Sequence, residues 1–264
     1  MNKKQYKKDD WTSYASLKIG INLGHKSLSL SKTKYWHPLM SEYLLGIRNG
    51  VSLINTQQTK KCFLKAFYMI ALILKKKGHI LVINTNPDFY KICKNLSILT
   101  LQNKANFIYK NSLKYNNLKS LSISYCCYKW IGGTLTNWKQ ISKSVLTFAK
   151  FSERCESFLI KNNIEFPKYK KIKDCFEGLL TYQNKRIFLT FNEKPDLVFL
   201  MNPNENINII NEANHLHIPI IAFTESNTDL KGITYPIPVN NYSINFLYYC
   251  LKKIVKMSLL AKYN

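Results

Sequence analysis

The residues in this chain whose types and spacing could support chemistry stop short of any complete catalytic or cofactor motif. Gly20-Ile-Asn-Leu-Gly24-His25-Lys26-Ser27 has the outline of the phosphate loop G-x-x-x-x-G-K-[ST], but its glycines are one residue too close and His25 separates Gly24 from Lys26. In a working loop the backbone amides and the Lys converge on the same phosphates, and here no clear strand leads in. Gly132-Gly133 stand together without the G-x-G-x-x-G of a dinucleotide fold, which reads as a tight turn before a helix. His215 and His217 are two residues apart, so a helix would turn them to different sides, and Cys126-Cys127 diverge in an extended strand. Neither pair has the spacing of a zinc site. Glu225 and Asp229 follow an apolar strand, at the sheet edge where α/β enzymes place their sites. Ser226 and Asn227 lie between them, and no His or nucleophile is near, so they read as turn or cap residues. The expectation is no catalytic residue, no metal and no cofactor.

What the sequence carries instead is positive charge. Lys and Arg number 39 against 15 Asp and Glu, for a net charge of +24 over 264 residues. Such a surface repels itself unless a polyanion neutralises it. Lys3, Lys4, Lys7 and Lys8 crowd the start, followed by Lys26, Lys32, Lys34 and Arg48, and later by Lys168, Lys170, Lys171 and Lys173. Tyr6, Trp11, Tyr14, Tyr35, Trp36 and Tyr169 are interleaved with them. Cations on phosphates and aromatic faces on exposed bases are the chemistry of nucleic-acid binding. An anionic membrane is the second candidate partner. The longest apolar run, Phe67 to Leu74, is far short of the roughly 20 residues a spanning helix needs. Seven scattered Cys without C-x-x-C suit free thiols in a reducing compartment. The first ten residues have neither the apolar stretch of a secretory signal nor the Arg content of a transit peptide. Heavy use of Lys, Asn, Ile, Tyr and Phe, whose codons are AT-rich, points to a symbiont or organelle genome.

The elements that must position these residues follow from periodicity. Phe63, Leu64, Phe67, Ile70, Ala71 and Leu74 fall at helical spacings, with Gly78 as the stop signal. An apolar strand, His79 to Asn84, comes next, then Pro87 opening a helix to about Leu96. The pattern recurs as strand 195–201, helix 205–216 and strand 217–223. Tyr235 to Pro238 form an extended edge, and helix 243–256 closes the chain. Continuous apolar strands alternating with helices indicate an α/β fold, a parallel sheet covered on both faces. Residues 138–181 differ: Ile141, Val145, Phe148 and Phe151, then Ile172, Phe176 and Leu179, recur at helical spacing on either side of Pro167. They read as an inserted helical hairpin, the alternative being an unstructured loop. Residues 1–34 read as a basic arm, and 35–137 with 182–264 as the core.

Four stretches together resemble the bacterial-type ribosomal protein S2 family. They are Gly20–His25 continuing to Trp36-His-Pro-Leu-Met40; Gly46-Ile-Arg-Asn-Gly50 running to Leu53-Ile-Asn55 and Thr59; Lys129-Trp-Ile-Gly-Gly-Thr-Leu-Thr-Asn137; and Pro195-Asp196, Ile218-Pro219, Glu225-Ser-Asn-Thr-Asp229 and Tyr235-Pro-Ile-Pro238. Their order and spacing follow the family from about Leu17 to Leu251. The chain departs at Asn22 and Leu23, where the family has His and Phe, at Glu225 (Asp), at Leu230 (Pro) and at Val239 (Gly). The last questions the local turn, because Val does not tolerate positive φ. The resemblance implies a flavodoxin-like core with a coiled-coil hairpin inserted, and a structural, non-catalytic place in the small ribosomal subunit. Its partners would be small-subunit ribosomal RNA and neighbouring ribosomal proteins, with no membrane and no small-molecule substrate. RNA contact is expected at Lys129 and Asn137, and packing at Trp130. The composition then favours a mitochondrial ribosome, a plastid or bacterial cytoplasm being the other settings. The competing expectations are a Rossmann-like enzyme acting on RNA or a nucleotide, and a membrane-surface protein.

Overall fold

The computed structural model describes residues 20–26, 37–93, 123–126, 129–162, 165–176, 179–183, 186–189 and 194–260. The first three strands, β1 (Leu23–Lys26), β2 (Leu44–Arg48) and β3 (Val51–Ile54), form an antiparallel sheet in the order β1-β3-β2. Asn49 and Gly50 link β2 to β3 with φ of 50° and 72°. Two positive φ values in a two-residue loop are what the right-handed twist of a hairpin favours, and Asn-Gly supplies them at least cost.

Residues 20–26 correct the expectation of an arm reaching to residue 34. They pair with β3 and are tied down at several points. Ile21 is buried in the main core, its carbonyl accepts from the Asn240 N–H at 3.1 Å, and the Asn22 carbonyl accepts from the Ile54 N–H at 2.8 Å. Gly24 makes the approach possible, since a Cβ there would sit 3.2 Å from Ser226 Oγ and closer still to Ser52 Oγ. The glycine that looked like part of a phosphate loop is instead a point of close packing.

Helix α1 (Thr56–Lys75) starts at Asn55, whose side-chain oxygen accepts from the Gln57 N–H at 3.0 Å. It buries Phe63, Ala66, Phe67, Ile70 and Leu74 along one stripe. Its left-handed stop residue is Lys77, with φ 61°. Gly78 follows and donates to the Ile73 carbonyl at 2.9 Å, closing the helix end. Strand β4 (Ile80–Ile83) leads into the expected helix, which opens as a 3-10 turn at Pro87–Phe89 and continues as helix over residues 90–93. The rest of that expected helix lies outside the described residues.

Strand β5 (Ile123–Cys126) was not anticipated from the sequence. Helix α2 (Trp138–Lys161), helix α3 (Pro167–Phe176) and an antiparallel hairpin of β6 (Leu180–Gln183) and β7 (Arg186–Leu189) follow. The chain then alternates through β8 (Leu197–Leu200), α4 (Ile207–His215), β9 (Ile220–Thr224), β10 (Tyr235–Pro238) and α5 (Ile244–Leu260).

Five parallel strands assemble as β5-β4-β8-β9-β10. In chain order this is 2-1-3-4-5, the flavodoxin-like arrangement. The side chains of each strand alternate between two separate apolar layers. Ile80, Val82, Phe199, Ile221, Phe223 and Ile237 join α1 and α5 on one face. On the other, Leu81, Ile83, Val198, Leu200, Ile220 and Ala222 meet Val145 and Ala149 of α2 and Ile209 and Ala213 of α4. The Phe199 and Phe223 rings meet edge to face at 5.1 Å, and Phe223 lies 5.4 Å from Phe246 of α5. Val239 raises no conflict with its turn: it is absent from the positive-φ positions, is fully buried, and donates its N–H to the Thr224 carbonyl at 3.0 Å.

At the amino edge of the sheet His79 joins three strands. Its N–H donates to Asp196 Oδ2 at 2.7 Å, and its Nε2 lies 2.7 Å from Ser124 Oγ. Burial pushes its pKa down to about 4, against the opposing pull of Asp196.

Helix α2 has two roles along its length. Its first half is part of the core through Trp138, Val145 and Ala149. From Phe148 onward it also meets α3: Phe148 lies 5.1 Å from Phe176 and 5.8 Å from Tyr169, and Glu156 accepts from Tyr169 Oη at 2.9 Å and pairs with Lys173. Burial alone would raise the Glu156 carboxyl, but these two bonds hold it below its ordinary value. Shortening the segment should therefore succeed only beyond the sheet contact. A chain lacking residues 153–175 is expected to keep a cooperative thermal melt. Val145→Asp, which puts a charge at a fully buried site, should abolish it. A cooperative melt for Val145→Asp would show that α2 is dispensable to the core.

Candidate nucleic-acid interface

The segment Lys129–Asn137 is held in place by one carboxylate. Glu212, in the middle of α4, accepts three hydrogen bonds: Trp130 Nε1–H at 3.1 Å, the Gly133 N–H at 2.8 Å and the Leu135 N–H at 3.0 Å. Gly133 adopts φ 84°, where a side chain would be strained, so the turn needs glycine there. Thr134 and Leu135 are buried beneath it, and the Asn137 carbonyl accepts the first bonds of α2, from Gln140 and Ile141 at 3.1 Å each. The loop is thus fixed from below and leaves Lys129 and Asn137 exposed at its two ends. Trp130 is half-buried and packs against the second apolar layer, as expected. Nothing in the sequence singled out Glu212. An acid near the centre of a short helix normally reads as surface.

Arg48 is exposed at the end of β2, beside the Asn49-Gly50 turn. Lys26 ends β1. Lys3, Lys4, Lys7, Lys8, Lys32 and Lys34 lie outside the described residues. On α3, Lys168, Lys170 and Lys171 are exposed, whereas Lys173 is engaged by Glu156.

A set of cations that the sequence reading passed over lies on α2. Lys139, Lys143, Lys150, Arg154 and Lys161 are all exposed. At about 100° per residue these five positions fall within an arc of about 60° and extend roughly 33 Å along the helix. The buried positions Trp138, Val145, Ala149 and Ser152 occupy the opposite side. Glu156 is turned away from the ribbon, toward Tyr169 and Lys173. A row of exposed cations on a rod anchored at one end to the sheet has the spacing to lie along a row of phosphates.

The carboxyl edge of the parallel sheet has a different character. Asp229 Oδ1 accepts from the Lys231 N–H at 2.9 Å and lies 3.8 Å from His37 Nε2, the turn role expected of it. Glu225, by contrast, is not a surface turn residue. It is 3% exposed, and burial raises its carboxyl pKa to about 7, with the Asn241 backbone N–H opposing the shift. Asn84, Asn86, Asn202 and Asn241 share its cleft, which holds neither His nor nucleophile. Among the described residues no three His, Cys, Asp or Glu side chains gather as a metal site, and no helix is long and apolar enough to cross a membrane.

A sheet ordered 2-1-3-4-5, helices on both faces and a cationic exterior define a flavodoxin-like α/β protein without a catalytic constellation among its described residues. The chain belongs to the ribosomal protein S2 family, whose model matches residues 17–109 and 104–259. It is 35% identical over 226 residues to the small ribosomal subunit protein uS2m of Marchantia polymorpha, spanning 83% of this chain and 82% of that one. Small ribosomal subunit protein uS2 of Paramagnetospirillum magneticum is 28% identical over 240 residues, 89% of this chain and 77% of its own length. Its counterpart in Ehrlichia ruminantium is 28% identical over 253 residues, 92% of this chain and 74% of its own.

Glu212 gives the first prediction for this region. Glu212→Gln keeps one acceptor but turns an NH₂ toward the loop amides, so it should destabilise the fold by about 2 kcal/mol. Amide exchange at Gly133 and Leu135 should accelerate with it. Unchanged exchange would show that the carboxylate does not hold the loop.

The second concerns pH. His79, lowered to about 4 from 6.5, contributes stability that is complete above the higher value and lost as pH falls through the window. Glu225, raised to about 7 from 4.5, contributes stability that is complete below the lower value and lost as pH rises. Each is worth at most about 3 kcal/mol, and their slopes oppose where the windows overlap. Glu225→Gln should therefore be more stable than the parent at pH 8, equal to it near pH 4, and steeply pH-dependent in between. Urea melts across that range would read this, and a variant no more stable than the parent at pH 8 would contradict it.

Proposed function

We propose that this ribosomal protein S2 chain works as a structural constituent of the small ribosomal subunit, binding ribosomal RNA through its outward cations and lying against neighbouring ribosomal proteins. The observation that carries the RNA contact is the ribbon of five exposed cations on α2, opposite the face that α2 gives to the sheet. Lys3, Lys4, Lys7, Lys8, Lys26, Lys32, Lys34, Arg48, Lys129 and Asn137 are proposed to add to it, Lys129 and Asn137 from a loop already rigid before RNA arrives. The family is a structural ribosomal component and not an enzyme. We place this copy in a mitochondrial ribosome. The AT-driven composition supports that setting, as does the 35% identity to a mitochondrial relative, against 28% to a bacterial one.

Salt dependence tests the RNA contact. If roughly 6–10 phosphates are neutralised, affinity for a small-subunit RNA fragment should fall about 10³–10⁵-fold between 50 and 200 mM salt. Changing Lys139, Lys143, Lys150, Arg154 and Lys161 together to Gln should reduce the slope of log affinity against log salt by up to about 4, with the melting temperature unchanged. A parent slope near zero would remove the polyanion reading. An unchanged slope in the variant would move the contact off α2.

A further inference from the structure

We propose that the groove between the Lys129–Asn137 loop and the start of α4 receives one unstacked nucleotide of RNA, so that the protein reads an irregular feature of its partner as well as its phosphate charge. This rests on the RNA-binding role argued above. The groove has a volume of about 450 Å³ and is lined by Thr85, Pro87, Lys129, Trp130, Gly132 and Glu205, among others. That is within the roughly 300–1,000 Å³ of ordinary ligand sites. It lies beyond the carboxyl ends of β4 and β8, the neighbouring strands from which the chain continues to opposite sides of the sheet. Flavodoxin-like sheets open a crevice at that point.

The lining is already arranged before any ligand enters. Trp130 is fixed by its bond to Glu212, and the part of its ring left exposed need not be reordered to stack on a base. Thr85 Oγ1 accepts from Asn202 Nδ2 at 2.8 Å and from Asn206 Nδ2 at 2.7 Å. With both lone pairs engaged, its own proton is what it has left to offer. Glu205, whose Oε2 accepts from Asn202 Nδ2 at 2.8 Å, adds an acceptor to the same wall. A donor and an acceptor together complement the edge of a base, and exposed Lys129 supplies a cation for its phosphate.

Gly132 is the observation that points outward to a ligand. Its neighbour Gly133 needs to be glycine because of its φ of 84°. Gly132 has no such backbone, and a Cβ built on it meets no described atom within 4 Å. Nothing within the described protein calls for the missing side chain at this position in the groove. The open space over this backbone lets a bound molecule approach it closely.

The test compares a short RNA hairpin carrying one bulged guanosine with the same hairpin fully paired, each titrated with the full chain. The parent should bind the bulged hairpin about tenfold more tightly, the size of one base stacked on an aromatic ring. Gly132→Val fills the groove and should erase that preference while leaving the melting temperature and the affinity for the paired hairpin unchanged. Gly132→Ala, a smaller change, should reduce the preference and serves if the valine variant does not fold. Equal binding of the two hairpins by the parent would overturn the pocket and leave the RNA-binding role standing. So would a preference that survives both variants. Displacement of the bulged hairpin by micromolar free GMP would overturn the assignment by making a free nucleotide the occupant. Failure to bind either hairpin at low salt would overturn the RNA-binding role and the pocket together.

Discussion

A five-stranded parallel sheet has no face it can leave to water, and most of this molecule answers that one requirement. Each strand contributes to two apolar layers, so helices must be found for both sides. α1 and α5 cover one side with their Phe, Ile and Leu stripes. α4 covers part of the other, and the remainder falls to the first half of α2. That obligation fixes one end of α2 against the core and determines which way its opposite face points. The cationic ribbon is therefore a consequence of sheet covering: the side of α2 that cannot pack is the side available for charge.

Four of the few acids serve as acceptors or stand buried within the fold. Glu212 gathers three donors from one loop, Asp196 accepts the His79 amide, Glu156 holds Tyr169 and Lys173, and Glu225 is buried in the cleft at the carboxyl edge. An acceptor of that strength is what a fold needs where several N–H groups converge. With only 15 acids against 39 Lys and Arg, and several of those acids engaged within the fold, the protein has little with which to neutralise its own cations, and the outward field is left for a partner.

Sequence patterning revealed the long apolar units and missed the short or mixed ones, for identifiable reasons. α1, α5, β4, β8 and β9 were legible because each carries an unbroken apolar stripe or run. β5 reads Ile-Ser-Tyr-Cys, and its polar side chains are buried by contacts, such as Ser124 with His79, that no local pattern encodes. The β2–β3 hairpin did have a local signal in Asn49-Gly50, but the surrounding Leu, Gly, Ile and Arg do not alternate cleanly. Strand β1 was hidden in a basic stretch because its order comes from pairing with β3 and from Gly24 fitting over Ser52. At the proposed RNA surface, the turn from Lys129 to Asn137 and the packing of Trp130 were legible because they belong to one distinctive run of nine residues. The ribbon on α2 was present as spacings of four and seven, yet no spacing distinguishes it from a solvated face until the buried side of the helix is known. Glu212 could not have been found at all, since its partners lie some eighty residues away.

One further property follows from the last strand. β10 is an outer strand of the parallel sheet, and two of its four residues are Pro236 and Pro238. Proline has no N–H to offer, so this border lacks the regular row of donors that a stray strand would need in order to add on. A chain this rich in β-forming Ile, Tyr and Phe must spend time between synthesis and assembly with its charge unneutralised and no partner in place. Its prolines close this border of the sheet to self-extension during that interval.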